Sequence, residues 1–223
     1  MDIFKFIRGN TDSLIKNLYN KKVLVLGSGP SAREINWQDK DWDVLVSTSF
    51  FYLNPNIISN NPIHITLSDL VDLNNPILNQ YLNKNPKCTI AFEPKPHPFY
   101  TTIQYKNFIE KYKDRIIYYN IIGGKEGVAA RLCWLILSCS PKNIQLCGID
   151  GISKSPQLDP PNYFRNHHGT TDKYSYHEYY KDFQLFGKRL YTLGKENNIP
   201  IINLGKGKPY NMITNISNKY EKH

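Results

Sequence analysis

Short apolar runs recur along this chain at 22–26, 43–46, 63–67, 89–92, 116–119, 144–149 and 200–204, with stretches of helical periodicity between several of them. The helical patterns fall at 68–82, 102–112, 127–139 and 173–197. The first run, Lys22–Leu26, is a continuous β-branched and leucine stretch closed by Gly27, which suits a strand buried on both faces of a parallel sheet. Parallel strands need crossover connections, and intervening helices supply them. The alternation predicts an α/β fold, a single Rossmann-like, doubly wound, mostly parallel sheet of about six or seven strands.

A length of 223 residues fits one such sheet without a second core. The apolar spacing over residues 1–20 reads as a helical entry segment, residues 151–172 as a lid-like loop, and residues 210–223 as a tail. No apolar run approaches the roughly 20 residues that span a bilayer. The N-terminus has an acidic residue at position 2 and no secretory pattern, so a cytoplasmic protein is expected. Cys88, Cys133, Cys139 and Cys147 lie in or beside apolar stretches without metal or redox spacing, and read as buried thiols.

Lys and Arg number 28 against 19 Asp and Glu, a formal charge of +9 that concentrates anions near the protein. The basic residues are scattered, which argues against a nucleic-acid groove while leaving peripheral contact with an acidic membrane surface open. His167, His168 and His177 do not have an established ligand spacing, and no metal site is expected.

The chemistry concentrates after the first strand. Gly27-Ser28-Gly29-Pro30-Ser31 leads from that strand into a short helix expected over 31–36, a turn whose N–H groups can hold a phosphate or nucleoside. Ser31 is placed to cap that helix and Pro30 to stiffen the turn. A purely structural turn has the same residues, so the glycine pair alone does not decide between them. Asp150 ends a buried strand at the edge where open α/β sheets bind ligands, in reach of this turn, or it is a structural turn carboxylate.

Taken in order, Gly27-Ser-Gly-Pro-Ser31, Asp43-Val with Phe50-Phe-Tyr52, Gly127-Val, and Ile144-Gln-Leu-Cys-Gly-Ile-Asp150 resemble the bacterial lipooligosaccharide sialyltransferases (glycosyltransferase family 42-like) and the wider DUF115-type proteins. The latter include flagellin-modifying glycosyltransferase-like proteins and archaeal pterin diphosphokinases. A further match runs through His168-Gly-Thr-Thr-Asp172. The resemblance implies a metal-independent transfer of a sugar from a nucleotide donor to a glycan, lipid-linked or protein acceptor, with no tightly bound cofactor.

It implies His168 as general base, a role suited to an imidazole, although a solvated loop histidine fits the same position. Where the sialyltransferases carry asparagines for the nucleotide, this chain has Ser28, Thr48, and Leu67 or Asp69. Lys125 before Gly127 at a helix start is placed to grip a diphosphate, and Glu126 to face away or to bind a sugar hydroxyl; a plain helix cap accounts equally for both. Two alternatives stand beside the transferase. One is a magnesium-dependent diphosphokinase with Asp69 and Asp150 holding the cation, and the other a non-catalytic nucleotide- or nucleic-acid-binding protein.

Overall fold

The computed structural model describes residues 4–68, 71–93, 101–121, 127–151 and 176–205. Eight strands form one sheet: β1 (Phe4–Gly9), β2 (Lys22–Leu26), β3 (Val44–Thr48), β4 (His64–Leu67), β5 (Thr89–Phe92), β6 (Ile116–Ile121), β7 (Asn143–Cys147) and β8 (Ile201–Asn203). Their spatial order is β1-β6-β5-β4-β3-β2-β7-β8. Every pairing is parallel except that of β1 with β6. The helices are α1 (Thr11–Leu18), α2 (Pro55–Ser59), α3 (Pro76–Lys84), α4 (Ile103–Tyr112), α5 (Val128–Leu137) and α6 (Tyr176–Glu196).

Side chains alternate across each strand and divide the core in two. Val23, Val25 and Val46 face α1, α5 and α6, whereas Leu24, Leu26 and Leu45 face α2, α3 and α4. From Ala130 to Leu137 every residue of α5 is buried, with Trp134 edge-on to Phe186 of α6 at a centroid distance of 5.3 Å. That helix therefore lies between the sheet and α6, which is why its sequence, Arg131 apart, is apolar on all sides.

Two expectations need correction. Residues 4–9 form an antiparallel edge strand and not the start of a helical entry segment, which brings the strand count to eight. Gly9, at φ +103°, lies so close to β6 that a Cβ would stand 2.2 Å from the Ile116 carbonyl oxygen, and only α1 after it is helical. The helix expected over 68–82 starts later, at Pro76, where the missing N–H is harmless at a first helical position and the Asn75 side chain accepts from the N–H groups of Ile77 and Leu78. The four cysteines are buried thiols, and no described helix is long and apolar enough to cross a membrane.

Candidate functional site

From β2 the chain steps outward through β3, β4, β5 and β6, then returns across α5 to place β7 on the other side of β2. The strand order thus reverses between β2 and β7, and their carboxyl ends flank the topological switch point. Here Gly27 and Gly148 meet backbone to backbone: a Cβ on either would lie 2.3 Å from the carbonyl oxygen of the other. The Gly27 N–H donates to the Cys147 carbonyl at 2.8 Å and the Gly29 N–H to the Gly148 carbonyl at 2.7 Å.

Asp150 completes this junction from the β7 side, where it is 3% exposed. One carboxylate oxygen accepts from the Ser31 N–H at 2.7 Å and the other from the Ser31 hydroxyl. The same hydroxyl accepts from the Gly148 N–H at 2.9 Å, and the Cys147 thiol donates to the Ser31 carbonyl. Ser31 is therefore a clasp between the two strand ends, not a helix cap. The segment after it is a five-residue 3-10 turn, Pro30–Glu34, with Gly29 at its cap position.

This arrangement changes how the turn works. Three of the N–H groups expected to seat a phosphate, those of Gly27, Gly29 and Ser31, are engaged by protein acceptors, one of them a carboxylate. Glycine at position 29 answers to its neighbours and not to its backbone angles, since a Cβ there would stand 2.6 Å from the Asp150 carboxylate. Burial pushes the Asp150 carboxyl up to about 6, with Glu34 adding to the rise and the Ser31 hydrogen bonds opposing it.

Beside the clasp, the carboxyl ends of β3, β4 and β5 carry further polar groups. Thr48 is buried opposite Thr66 on the face that α5 covers. The Ser49 hydroxyl donates to the Ser68 hydroxyl at 3.1 Å and accepts from the Ser68 N–H at 3.2 Å, with Ser49 held at φ +29°. Leu67 belongs to the core on the opposite face. Gly127, at φ +87°, is the N-cap of α5 and leaves that helix without a side-chain cap. The first turn of α5 rests against β2, where a Cβ on Gly27 would meet the Ala129 methyl at 3.1 Å.

Lys125, Glu126, Asp69, His167 and His168 lie outside the described residues, as do the loop over 152–172 and the tail over 210–223. Among the described residues no group of three His, Cys, Asp or Glu is placed to hold a metal ion. Sequence reasoning missed two features. One is the Ser49–Ser68 hydroxyl pair. The other is a buried ion pair between Arg131, in the first turn of α5, and Glu93, just past β5, with side-chain exposures of 11% and 10%. Arg131 did leave a signal, because it interrupts an otherwise apolar helix and a charge there requires a buried partner. No protein-family model matches the chain, and no curated protein matches it.

Proposed function

We propose that the chain is a transferase of glycosyltransferase type that binds a nucleotide sugar along the carboxyl edge of its sheet and passes the sugar to a glycan, lipid-linked or protein acceptor. The observation that carries this reading is the switch point between β2 and β7, the crevice in which open doubly wound sheets take their ligands. Gly27, Ser28, Gly29, Pro30 and Ser31 lie at that crevice, with Thr48 one strand away and Gly127 at the helix start above it. From β2 to the end of β5 is three strand spacings, roughly 14 Å, a length that suits an extended ligand such as a nucleotide joined to a sugar.

In this reading the nucleoside lies beside the turn, whose glycines pack against Gly148 and Asp150 and fix its shape. The phosphates lie toward α5, whose uncapped N-terminus carries partial positive charge. Lys125 and Glu126 flank that end, His168 takes the proton of the acceptor hydroxyl, and no metal ion is required. The +9 charge raises the local concentration of the anionic donor.

Thermal unfolding in the presence of CMP, UDP, GDP and ATP, each with and without magnesium, tests the reading. A ligand at 100 times its Kd raises stability by roughly 3 kcal/mol. Stabilisation by a nucleoside mono- or diphosphate without magnesium is expected. Stabilisation by ATP only with magnesium would replace sugar transfer by diphosphate transfer. Salt-sensitive retention on DNA or RNA, with no nucleotide effect, would leave a non-catalytic binder.

A further inference from the structure

We propose that Thr48, Ser49 and Ser68 form a subsite for two adjacent hydroxyl groups of a sugar ring. The assignment rests on the carboxyl edge being the ligand edge, and it says which stretch of that edge takes the sugar-like part of the ligand.

Thr48 ends β3 and Ser68 follows β4, neighbouring strands in which Thr48 pairs with Thr66. The Ser49 N–H donates to the Thr66 carbonyl at 2.8 Å and the Ser68 N–H to the Ser49 hydroxyl at 3.2 Å. The two hydroxyls share one hydrogen bond, at 3.1 Å. Each carries one proton, so whichever of them donates, the pair keeps a proton that has no acceptor among the described residues. Thr48 adds a second such group. It is 4% exposed, and its hydroxyl has no hydrogen-bond partner among the described residues.

Fold stability does not account for these residues. A buried hydroxyl without a partner is destabilising, and valine has nearly the shape of threonine without that penalty. Ser49 sits at φ +29°, where a side chain is strained and glycine is not. Strain of this kind collects at ligand sites. Here it accompanies the contact of the Ser49 hydroxyl with Ser68, at the carboxyl ends of two central strands.

The chemistry of the three side chains selects the ligand. They are short and uncharged, and each hydroxyl both donates and accepts. Two adjacent sugar hydroxyls have the same double capacity, so they can accept the unused protons and return their own. None of the three carries the positive charge that favours a phosphate. A ribose and a transferred sugar both present such a diol.

Calorimetry on wild type, Thr48→Val and Ser49→Gly tests the subsite, with UDP, its 2′,3′-dideoxy counterpart and UDP-glucose as ligands, or the same set in the base that wild type prefers. If the ribose supplies the diol, each variant should lose about 3- to 10-fold in affinity for UDP and UDP-glucose, as for a neutral hydrogen bond, and nothing for the dideoxy form. If the transferred sugar supplies it, the loss should fall on UDP-glucose alone. Thr48→Val, which removes an unpaired hydroxyl, should melt no lower than wild type. A loss shared equally by the dideoxy form, unchanged affinities in both variants, or a Thr48→Val protein that melts well below wild type would overturn the subsite and leave the nucleotide reading standing. A wild type that binds none of the nucleotides would overturn both.

Discussion

Asp150 and His64 are buried side chains whose proton equilibria pull in opposite directions. His64, fully buried at the start of β4 between the hydroxyls of Thr89 and Thr66, is driven by desolvation down to about 3. Unfolding lets it take up a proton, so its contribution is present above pH 6.5 and is lost as the pH falls toward 3. Asp150, raised to about 6 from 3.8, holds its proton more tightly when folded, so its contribution is present below pH 3.8 and is lost as the pH rises through 6. Between pH 4 and 6 the two slopes, each about 1 kcal/mol per pH unit, oppose one another. Relative to wild type, Asp150→Asn should lose stability on acidification through this window and His64→Gln should gain it. Urea denaturation at pH 4.5 and 6.0 checks both, and variants that merely parallel the wild-type profile would remove this account. For the proposed chemistry, His168→Ala should lower turnover by about 10²- to 10⁴-fold with donor affinity retained, and His167→Ala should do less. A greater loss in His167→Ala would move the base by one position. At this scale the sequence made the meeting of Asp150 with the first turn legible, because strand ends on one edge must converge. The clasp role of Ser31 was not legible, since a helix cap and a clasp call for the same hydroxyl.

Elements were read well where pattern and environment agreed. Val23 to Leu26 of β2 and the apolar run of α5 are buried on every side, and nothing else accommodates such sequences. β1 was missed because Ile3, Phe4 and Ile7 satisfy a helical spacing, while the pairing that fixes the strand lies more than 100 residues away on β6. Position 9 shows how tightly that pairing is made. An alanine there would place a methyl group against the Ile116 carbonyl and require a backbone angle that L-residues rarely adopt. Gly9→Ala should cost roughly 1–3 kcal/mol. It should also speed amide exchange in β1 and at the facing edge of β6, with β2 and β3 unaffected. Protection lost uniformly across the sheet, or nowhere, would contradict that local picture.

At the level of the whole molecule, strand order does more than any single residue to define the candidate site. β2 pairs with β3, its neighbour in the chain, and with β7, which is far along it. The pairings from β2 through β6 each join strands that follow one another, so they can form in the order in which the chain is made. The junction at the switch point cannot. Ser31 and the carboxylate that grips it are 119 positions apart in sequence. At a translation rate of about 5–20 residues per second, the first half of the junction waits roughly 6 to 24 s for the second. During that interval one side of β2 offers its unpaired backbone to whatever lies nearby, and the glycine turn has no partner to shape it. The part of the protein read here as its binding edge is therefore the part that a ribosome leaves unfinished longest.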